Sequence, residues 1–463
     1  MKMKEQFSIS TAYEAIKKVI DATNSLTLFH NVLNDAAGEA VLNLLRTLID
    51  EQYNAVAIAR AYSRAFRELA LAVGKQPDLG LADAWQAYLV ARIIEDTNPW
   101  SSQVEYAGIG NVSATLRAQA QKDLSTLRLL FGLHAQTVWQ LTSHAVAATE
   151  PALCDAWVPW LGLAPTLANN AHPSHALAAL LAESDDWATL VEPLESYWSR
   201  YGTGLVARYP VLRWQATEGA LHGIAYPDPI QLEGLVGYER EKALLITNTE
   251  RFMAGLPAHD VLLYGSPGTG KSSAIKALAN RYADQGLRLV EVRKETINSL
   301  PEIVAQLRER APHFVLFIDD LSFEDQETAY KGLKVFLEGT VEVRPANILI
   351  YATTNRFNVI RENFAERGKQ SEDVHWRDTM DEKLSLVARF GLRITFITPD
   401  QDHYLRIVFG LAQQRSLTLP EEALRTRALQ WERQHIGRSG RVARQFIDTL
   451  EAELRETTEK HHA

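Results

Sequence analysis

The chain has 463 residues, more than one ordinary hydrophobic core accommodates, so roughly two to four domains are expected. Hydrophobic residues make up 46% and charged residues 23%, which excludes a largely disordered or collagen-like chain. A net charge of −9 argues against a surface given over wholly to nucleic acid. The single cysteine, Cys154, cannot form an internal disulfide. The start, Met1-Lys2-Met3-Lys4-Glu5-Gln6-Phe7-Ser8, lacks the apolar core of a signal peptide, and no uninterrupted apolar run reaches the roughly 18 residues of a membrane span. A cytoplasmic chain without a membrane contact is the expectation.

Residues 1–225 carry 16 basic against 22 acidic side chains, and the remaining 238 residues carry 32 against 35, about twice the basic density. Phosphate-handling chemistry is therefore expected in the second half. The first half reads helical: apolar residues recur at three- and four-residue spacing over 55–72 and 114–133. The stretch 151–199 is acidic, is broken by Pro151, Pro159, Pro165 and Pro173, and carries Trp157, Trp160, Trp187 and Trp198. Those tryptophans are read as core, with a partner-docking surface as the alternative. His172 and His175 are not read as metal ligands, because no Cys or acid follows at ligand spacing.

Pro227 and Pro229 mark a junction, and the pattern then changes to short apolar runs alternating with helices. Residues 261–264, 287–292, 314–318, 348–353 and 392–397 are five strand candidates, which predicts a parallel sheet covered by helices on both faces. After Pro399 only helical periodicity remains.

The strongest motif is Gly265-Ser266-Pro267-Gly268-Thr269-Gly270-Lys271-Ser272, followed by Ser273 at the opening of a helix and preceded by a strand. Its glycines let backbone N–H groups turn inward on an anion, and the helix N-terminus adds positive potential. Lys271 is expected to reach the β- and γ-phosphates of a nucleotide, and the Ser272 hydroxyl to ligate Mg²⁺. The apolar strand 314–318 runs into Asp319, a metal-shell carboxylate, and Asp320; either Asp320 or Glu324 would polarise the attacking water. Asn355, at the tip of the strand before it, could orient that water.

These segments resemble the AAA+ ATPases over about residues 228–448. Gly265–Ser272 is similar to their Walker A, Phe317-Ile318-Asp319-Asp320 to Walker B, and Ala352-Thr353-Thr354-Asn355-Arg356 to sensor 1. Ala388-Arg389-Phe390-Gly391 resembles the arginine-finger segment, Gly440-Arg441-Val442-Ala443-Arg444 resembles sensor 2, and Leu235-Val236-Gly237-Tyr238 the stretch packed on adenine. Asp319-Asp320-Leu321-Ser322-Phe323-Glu324 and Glu382-Lys383-Leu384-Ser385-Leu386 also resemble a bacterial AAA+ family known only as a domain of unknown function. The resemblance implies an α/β P-loop NTPase of AAA+ type, a five-stranded parallel sheet plus a C-terminal helical lid, behind a mostly α-helical N-terminal domain. It places the adaptor domain at 1–225, the nucleotide-binding core at 226–398 and the lid at 399–463. It implies Mg-ATP bound in a homo-oligomer, with Arg441 acting in cis and Arg389 in trans; Arg356 and Arg393 compete for the trans role.

The sequence departs from that pattern in three places. Many members carry Glu where Asp320 stands. The loop Arg293-Lys294-Glu295-Thr296-Ile297-Asn298 lacks the aromatic-apolar-Gly pore loop of polypeptide-threading members, which disfavours axial unfolding. A long charged segment, 357–380, lies between sensor 1 and the arginine-finger region. The expected function is an ATPase that remodels or loads a partner. A nucleotide-gated binding protein and a P-loop phosphotransferase are the alternatives. The partner is expected to be a protein, held through the N-terminal domain. Nucleic acid, along Lys331, Lys334, Arg344, Arg361, Arg367, Lys369 and Arg377, is disfavoured by acidic neighbours.

Overall fold

Two separate sets of apolar side chains cluster along the chain, and the computed structural model divides accordingly into Met1–Arg208 and Tyr209–Ala463. It describes residues 2–50, 52, 54–147, 149–163, 172–321, 333, 336–337, 344–355, 385–435 and 437–462. Glu324, Arg356, the charged segment 357–380 and every member of the basic strip except Arg344 lie outside the described residues.

The first unit is helical: α1 (Lys2–Thr23), α2 (Ala36–Ile49), α3 (Ala55–Val73), α4 (Ala84–Glu95), α5 (Pro99–Ala107), α6 (Ala114–Phe131), α7 (Ala135–Ala147), α8 (Ser174–Glu183), α9 (Val191–Tyr201) and α10 (Gly204–Arg208). The two amphipathic stretches form α3 and α6, and their buried faces include Ile58, Tyr62, Leu69, Leu124 and Leu127. Side-chain caps start several of these helices; Asn54, for example, accepts from the Ala57 N–H at 2.9 Å. Trp160, Trp187 and Trp198 are fully buried, and Trp157 packs on Tyr62 with ring centroids 5.7 Å apart. The core reading holds for Trp160, Trp187 and Trp198, while Trp157 is half-buried. Two of the buried indole N–H groups are served: Trp187 donates to Leu181 O and Trp198 to Ile94 O, whereas the Trp160 indole N–H is buried without a hydrogen-bond partner among the described residues.

The second unit is built on a sheet of seven strands, not five, in the order β2-β1-β4-β5-β6-β3-β7. The expected five are β3 (Val261–Gly265), β4 (Leu287–Glu291), β5 (His313–Ile318), β6 (Ile348–Thr354) and β7 (Leu392–Phe396), all paired in parallel. They are nearly continuous apolar runs because helices cover both faces, as the fully buried β6 illustrates. Two further strands, β1 (Val211–Gln215) and β2 (Ala220–Gly223), extend the β4 edge as a hairpin. Because β1 pairs with β4, residues 209–225 belong with the sheet, and the division falls before the proline junction.

The helix α11 (Glu239–Met253) precedes β3, α12 (Lys271–Tyr282) follows it, and α13 (Leu300–Leu307) leads to β5. Three C-terminal helices, Gln401–Gln414, Glu421–Gln434 and Gly440–His462, contribute Tyr404, Val408, Ala428, Ala443 and Ile447 to the same core as the sheet. The unit is thus the α/β P-loop fold of AAA+ type with a helical C-terminal subdomain.

Candidate functional site

The sheet order fixes the site. Because β6 lies between β5 and β3, the residues leaving their C-terminal ends converge: Asp319 after β5, Asn355 after β6 and the phosphate loop after β3. The loop holds its shape by close backbone approach. At Gly265, φ is 127° and an added Cβ would stand 2.1 Å from Phe396 O of the neighbouring β7. At Gly268, φ is 74° and a Cβ would meet Ser439 Oγ at 3.0 Å. Only glycine fits either place. Ser266 N donates to Phe396 O at 3.0 Å, and Thr269 Oγ1 donates to Ser266 O at 2.8 Å.

Lys271 opens α12 and is buried, 5% exposed. Its Nζ donates to Gly265 O (3.0 Å), Ser266 O (2.8 Å) and Asn355 Oδ1 (2.9 Å). Burial pushes its pKa down to about 8; Asp320 and Asp319 pull the other way, and Arg441 adds to the depression. An ammonium can only donate, so Asn355 presents its oxygen to Lys271 and its nitrogen to Asp320 Oδ1, 2.8 Å away. Asp320 sits at φ 51°, a left-handed conformation that aspartate tolerates better than most side chains.

The neighbouring carboxylate faces a different set. Asp319 Oδ1 accepts the hydroxyl protons of Ser272 and Thr353, each at 2.6 Å. Ser272 and Asp319 therefore share one edge of the cleft, a pairing of hydroxyl and carboxylate oxygen suited to a hard divalent cation with phosphate oxygens.

The C-terminal subdomain closes the other side. Ser439 Oγ accepts from Val442 N at 3.2 Å and caps the last helix, and Arg441 N donates to Gly268 O at 3.0 Å. The last helix is thereby fastened to the phosphate loop by its first turn. The resulting cleft, about 510 Å³, is lined by Gly237, Tyr238, Pro267, Gly268, Thr269, Gly270, Lys271, Ser272, Ser273, Asp319, Asp320, Asn355 and Arg441 among the residues singled out in the sequence. Leu235, Val236, Ile407 and Leu411 supply an apolar part of the lining, a slot fit for a planar base. Tyr238 is held there by its hydroxyl, which donates to Ile397 O at 2.7 Å, and by packing on Phe396 and His403.

Gly265 and Ser266 do not line the cleft. Their carbonyls hold Lys271, and the Ser266 hydroxyl pairs with Thr398 Oγ1 at 2.5 Å. Arg389 is exposed on the helical turn before β7 and stands outside its own chain's cleft, as does the exposed Arg393. Sequence reasoning placed Leu235 and Val236 on the adenine and Thr353 only within the sensor-1 segment, and it missed Lys242, Ile407, Leu411, Gln445 and Asp448. Arg444 also lines the cleft, so the sensor-2 segment offers two arginines where one was singled out. The spacing of Arg441, Arg444, Gln445 and Asp448 on one helix face was the available signal. Arg344 is engaged by the buried Asp260 in a two-pronged ion pair and lies over the Phe336 ring, so its guanidinium is already partnered within the fold.

A family model described as "Protein of unknown function (DUF815)" matches residues 207–454, more than half the chain. A 26S proteasome regulatory subunit 6B homolog from Schizosaccharomyces pombe is 28% identical over 187 residues, 37% of this chain and 43% of that protein. A proteasome-activating nucleotidase from Methanosarcina mazei is 31% identical over 151 residues, 28% of this chain and 36% of that protein. The chain thus spans less than half the length of these curated relatives. Among solved structures, the Thermotoga maritima RuvB Holliday junction branch migration motor is 19% identical with a TM-score of 0.31, covering 46% of this chain and 62% of that one.

Proposed function

The chain belongs to the DUF815 family, and from that premise we propose that it is a Mg²⁺-dependent AAA+ ATPase that works as a homo-oligomer on a protein partner. The observation that carries this reading is the convergence of Lys271, the Ser272–Asp319 pair and the Asn355–Asp320 pair at the ends of three adjacent strands. The nucleotide base would lie in the slot between Leu235, Val236, Ile407 and Leu411, with its phosphates in the loop 265–272. Ser272 and Asp319 would hold Mg²⁺, which when bound neutralises charge on the phosphate oxygens.

In hydrolysis, water attacks the γ-phosphorus, the bond to the β–γ bridging oxygen breaks, and ADP and phosphate leave. Asp320 takes the water's proton, and Lys271 leaves its carbonyl and Asn355 partners for the phosphate oxygens. Arg441 reaches the phosphates in cis from the last helix. Arg389, exposed and outside its own cleft, would serve a neighbouring subunit's γ-phosphate. In GTPases such an arginine is worth about 10³–10⁵ in turnover.

The loop after β4 supports a function other than threading a polypeptide. Lys294–Ser299 forms a short 3₁₀ helix of six residues with Ile297 buried, and it carries no aromatic side chain. The helical unit Met1–Arg208 is the proposed adaptor for the partner. Because Trp160, Trp187 and Trp198 are core, recognition there would not use them.

The test is ATP hydrolysis per subunit across a range of protein concentrations, with Lys271→Ala as the blank. Specific activity should climb with concentration, and Arg389→Ala should abolish the climb. A flat, Lys271-dependent rate that Arg389→Ala leaves untouched would overturn the trans site. ATP binding with no turnover would favour a nucleotide-gated switch, a reading that the hydrogen bond already occupying Asp320 makes specific.

A further inference from the structure

A single buried hydroxyl touches both acids of the site. Thr353, the penultimate residue of β6, is 2% exposed. Its Oγ1 donates its proton to Asp319 Oδ1 at 2.6 Å and accepts the N–H of Asp320 at 2.9 Å. The backbone beside it is tied in as well, since Leu321 N donates to Thr353 O at 2.7 Å. A hydroxyl has one proton and two lone pairs, so this geometry uses it in both senses at once.

The two bonds have different consequences. Asp319 Oδ1 already accepts from Ser272, so the second hydroxyl fixes the carboxylate's rotation about its own axis. That leaves Oδ2 as the oxygen bonded to no hydroxyl among the described residues. The bond from Asp320 N acts on the chain instead. Asp320 is held at φ 51°, away from the strand conformation that precedes it, and the Thr353 oxygen is the acceptor that stabilises the turn at its own N–H. Strand propensity would be served as well by valine, which is isosteric and also β-branched, so the hydroxyl is not explained by the sheet.

We infer that Thr353 is a positioning residue for Mg-ATP hydrolysis, setting through one hydroxyl both the metal-side carboxylate of Asp319 and the backbone turn that aims Asp320. The inference rests on the ATPase reading above. Outer partners of metal ligands typically change metal affinity or activity by about 10–100-fold when removed.

Thr353→Val deletes the hydroxyl at nearly constant volume, and Thr353→Ser keeps it while losing a methyl group. The measurements are the Mg²⁺ concentration giving half-maximal ATP hydrolysis, and ATP binding in EDTA, both on the full chain. Thr353→Val should raise the half-maximal Mg²⁺ about tenfold or more and lower kcat, with Mg²⁺-free binding within about twofold of wild type. Thr353→Ser should restore both. An unchanged Mg²⁺ requirement in Thr353→Val would overturn the inference. So would an equal loss of Mg²⁺-free binding, or a Thr353→Ser variant as impaired as Thr353→Val, either of which makes the role one of packing. If Thr353→Val does not fold, Thr353→Cys, a weak donor and acceptor of similar size, is scored by the same criteria. The ATPase reading fails separately: a wild-type chain that binds no ATP with or without Mg²⁺ removes that reading, and this inference with it.

Discussion

The Asn355 side chain donates to Asp320 Oδ1 at 2.8 Å, and its other end accepts from Lys271 Nζ at 2.9 Å. One amide therefore joins the buried Lys271 ammonium to Asp320, the acid proposed to take the proton from water. In the proposed mechanism, phosphate oxygens would draw Lys271 away, and the amide holding Asp320 would lose one of its two anchors. Asp320→Asn isolates the chemistry, because asparagine also tolerates the left-handed backbone and keeps the fold. Hydrolysis should fall about 10²–10⁴-fold while ATP binding is retained. If Asp320→Asn keeps its turnover and Glu324→Gln loses it, Glu324 is the base instead.

Lys271 gives a pH signature. Its folded pKa of about 8 lies below the ordinary 10.5. Between those values the unfolded chain holds a proton that the folded chain lacks, so stability of the nucleotide-free protein rises as pH rises through this window. Below about 8 both states are protonated, and burial of the charge costs at most about 3 kcal/mol. Bound phosphates favour the ammonium, so ATP binding should take up a proton and weaken above about pH 8. Titration calorimetry in buffers of different ionisation enthalpy measures the uptake. Lys271→Met should abolish both the uptake and the rise of melting temperature with pH.

Motif spacing made the chemistry legible, but not its wiring. Five strands and the phosphate loop could be read because buried parallel strands are continuous apolar runs and the loop's glycines are obligatory. The hairpin of β1 and β2 could not: Val-Leu-Arg-Trp-Gln is short and carries a charge, and its stabilising partner, β4, lies far along the chain. The left-handed Tyr238 and Asp320 were hidden because neither residue is glycine. Thr353 was passed over as part of a strand, since only the register that sets it beside Asp319 and Asp320 shows what its hydroxyl does.

Arg344 shows the same limit, since sequence put it on a basic strip and the fold spends it on Asp260. That carboxylate is 6% exposed and also accepts Ile350 N at 2.7 Å, at the start of the β6 strand. Removing the guanidinium leaves a buried, unpaired charge, which should cost about 3–5 kcal/mol. Arg344→Ala is expected to lower the denaturant midpoint accordingly, and Asp260→Asn combined with Arg344→Met should recover much of the loss. A variant as stable as wild type would show that the pair contributes nothing and return Arg344 to the surface.

Ser439 connects the stability of the last helix to nucleotide binding. Its Oγ accepts from Val442 N at 3.2 Å, its carbonyl accepts from Ala443 N at 3.0 Å, and the turn so formed sends Arg441 N to Gly268 O at 3.0 Å. Loss of a cap of this kind costs about 1 kcal/mol. Ser439→Ala should therefore melt slightly earlier, and its ATP affinity should fall by about fivefold, because the freed first turn no longer grips the phosphate loop. Gly268→Ala attacks the same contact from the loop side, since its Cβ would stand 3.0 Å from Ser439 Oγ and 3.2 Å from Arg441 Cβ at a φ of 74°. It should bind ATP more weakly than Ser439→Ala does, and in the double variant the two effects should be less than additive because they break one contact. Fully additive losses in binding would mean that the helix cap and the loop act on ATP independently.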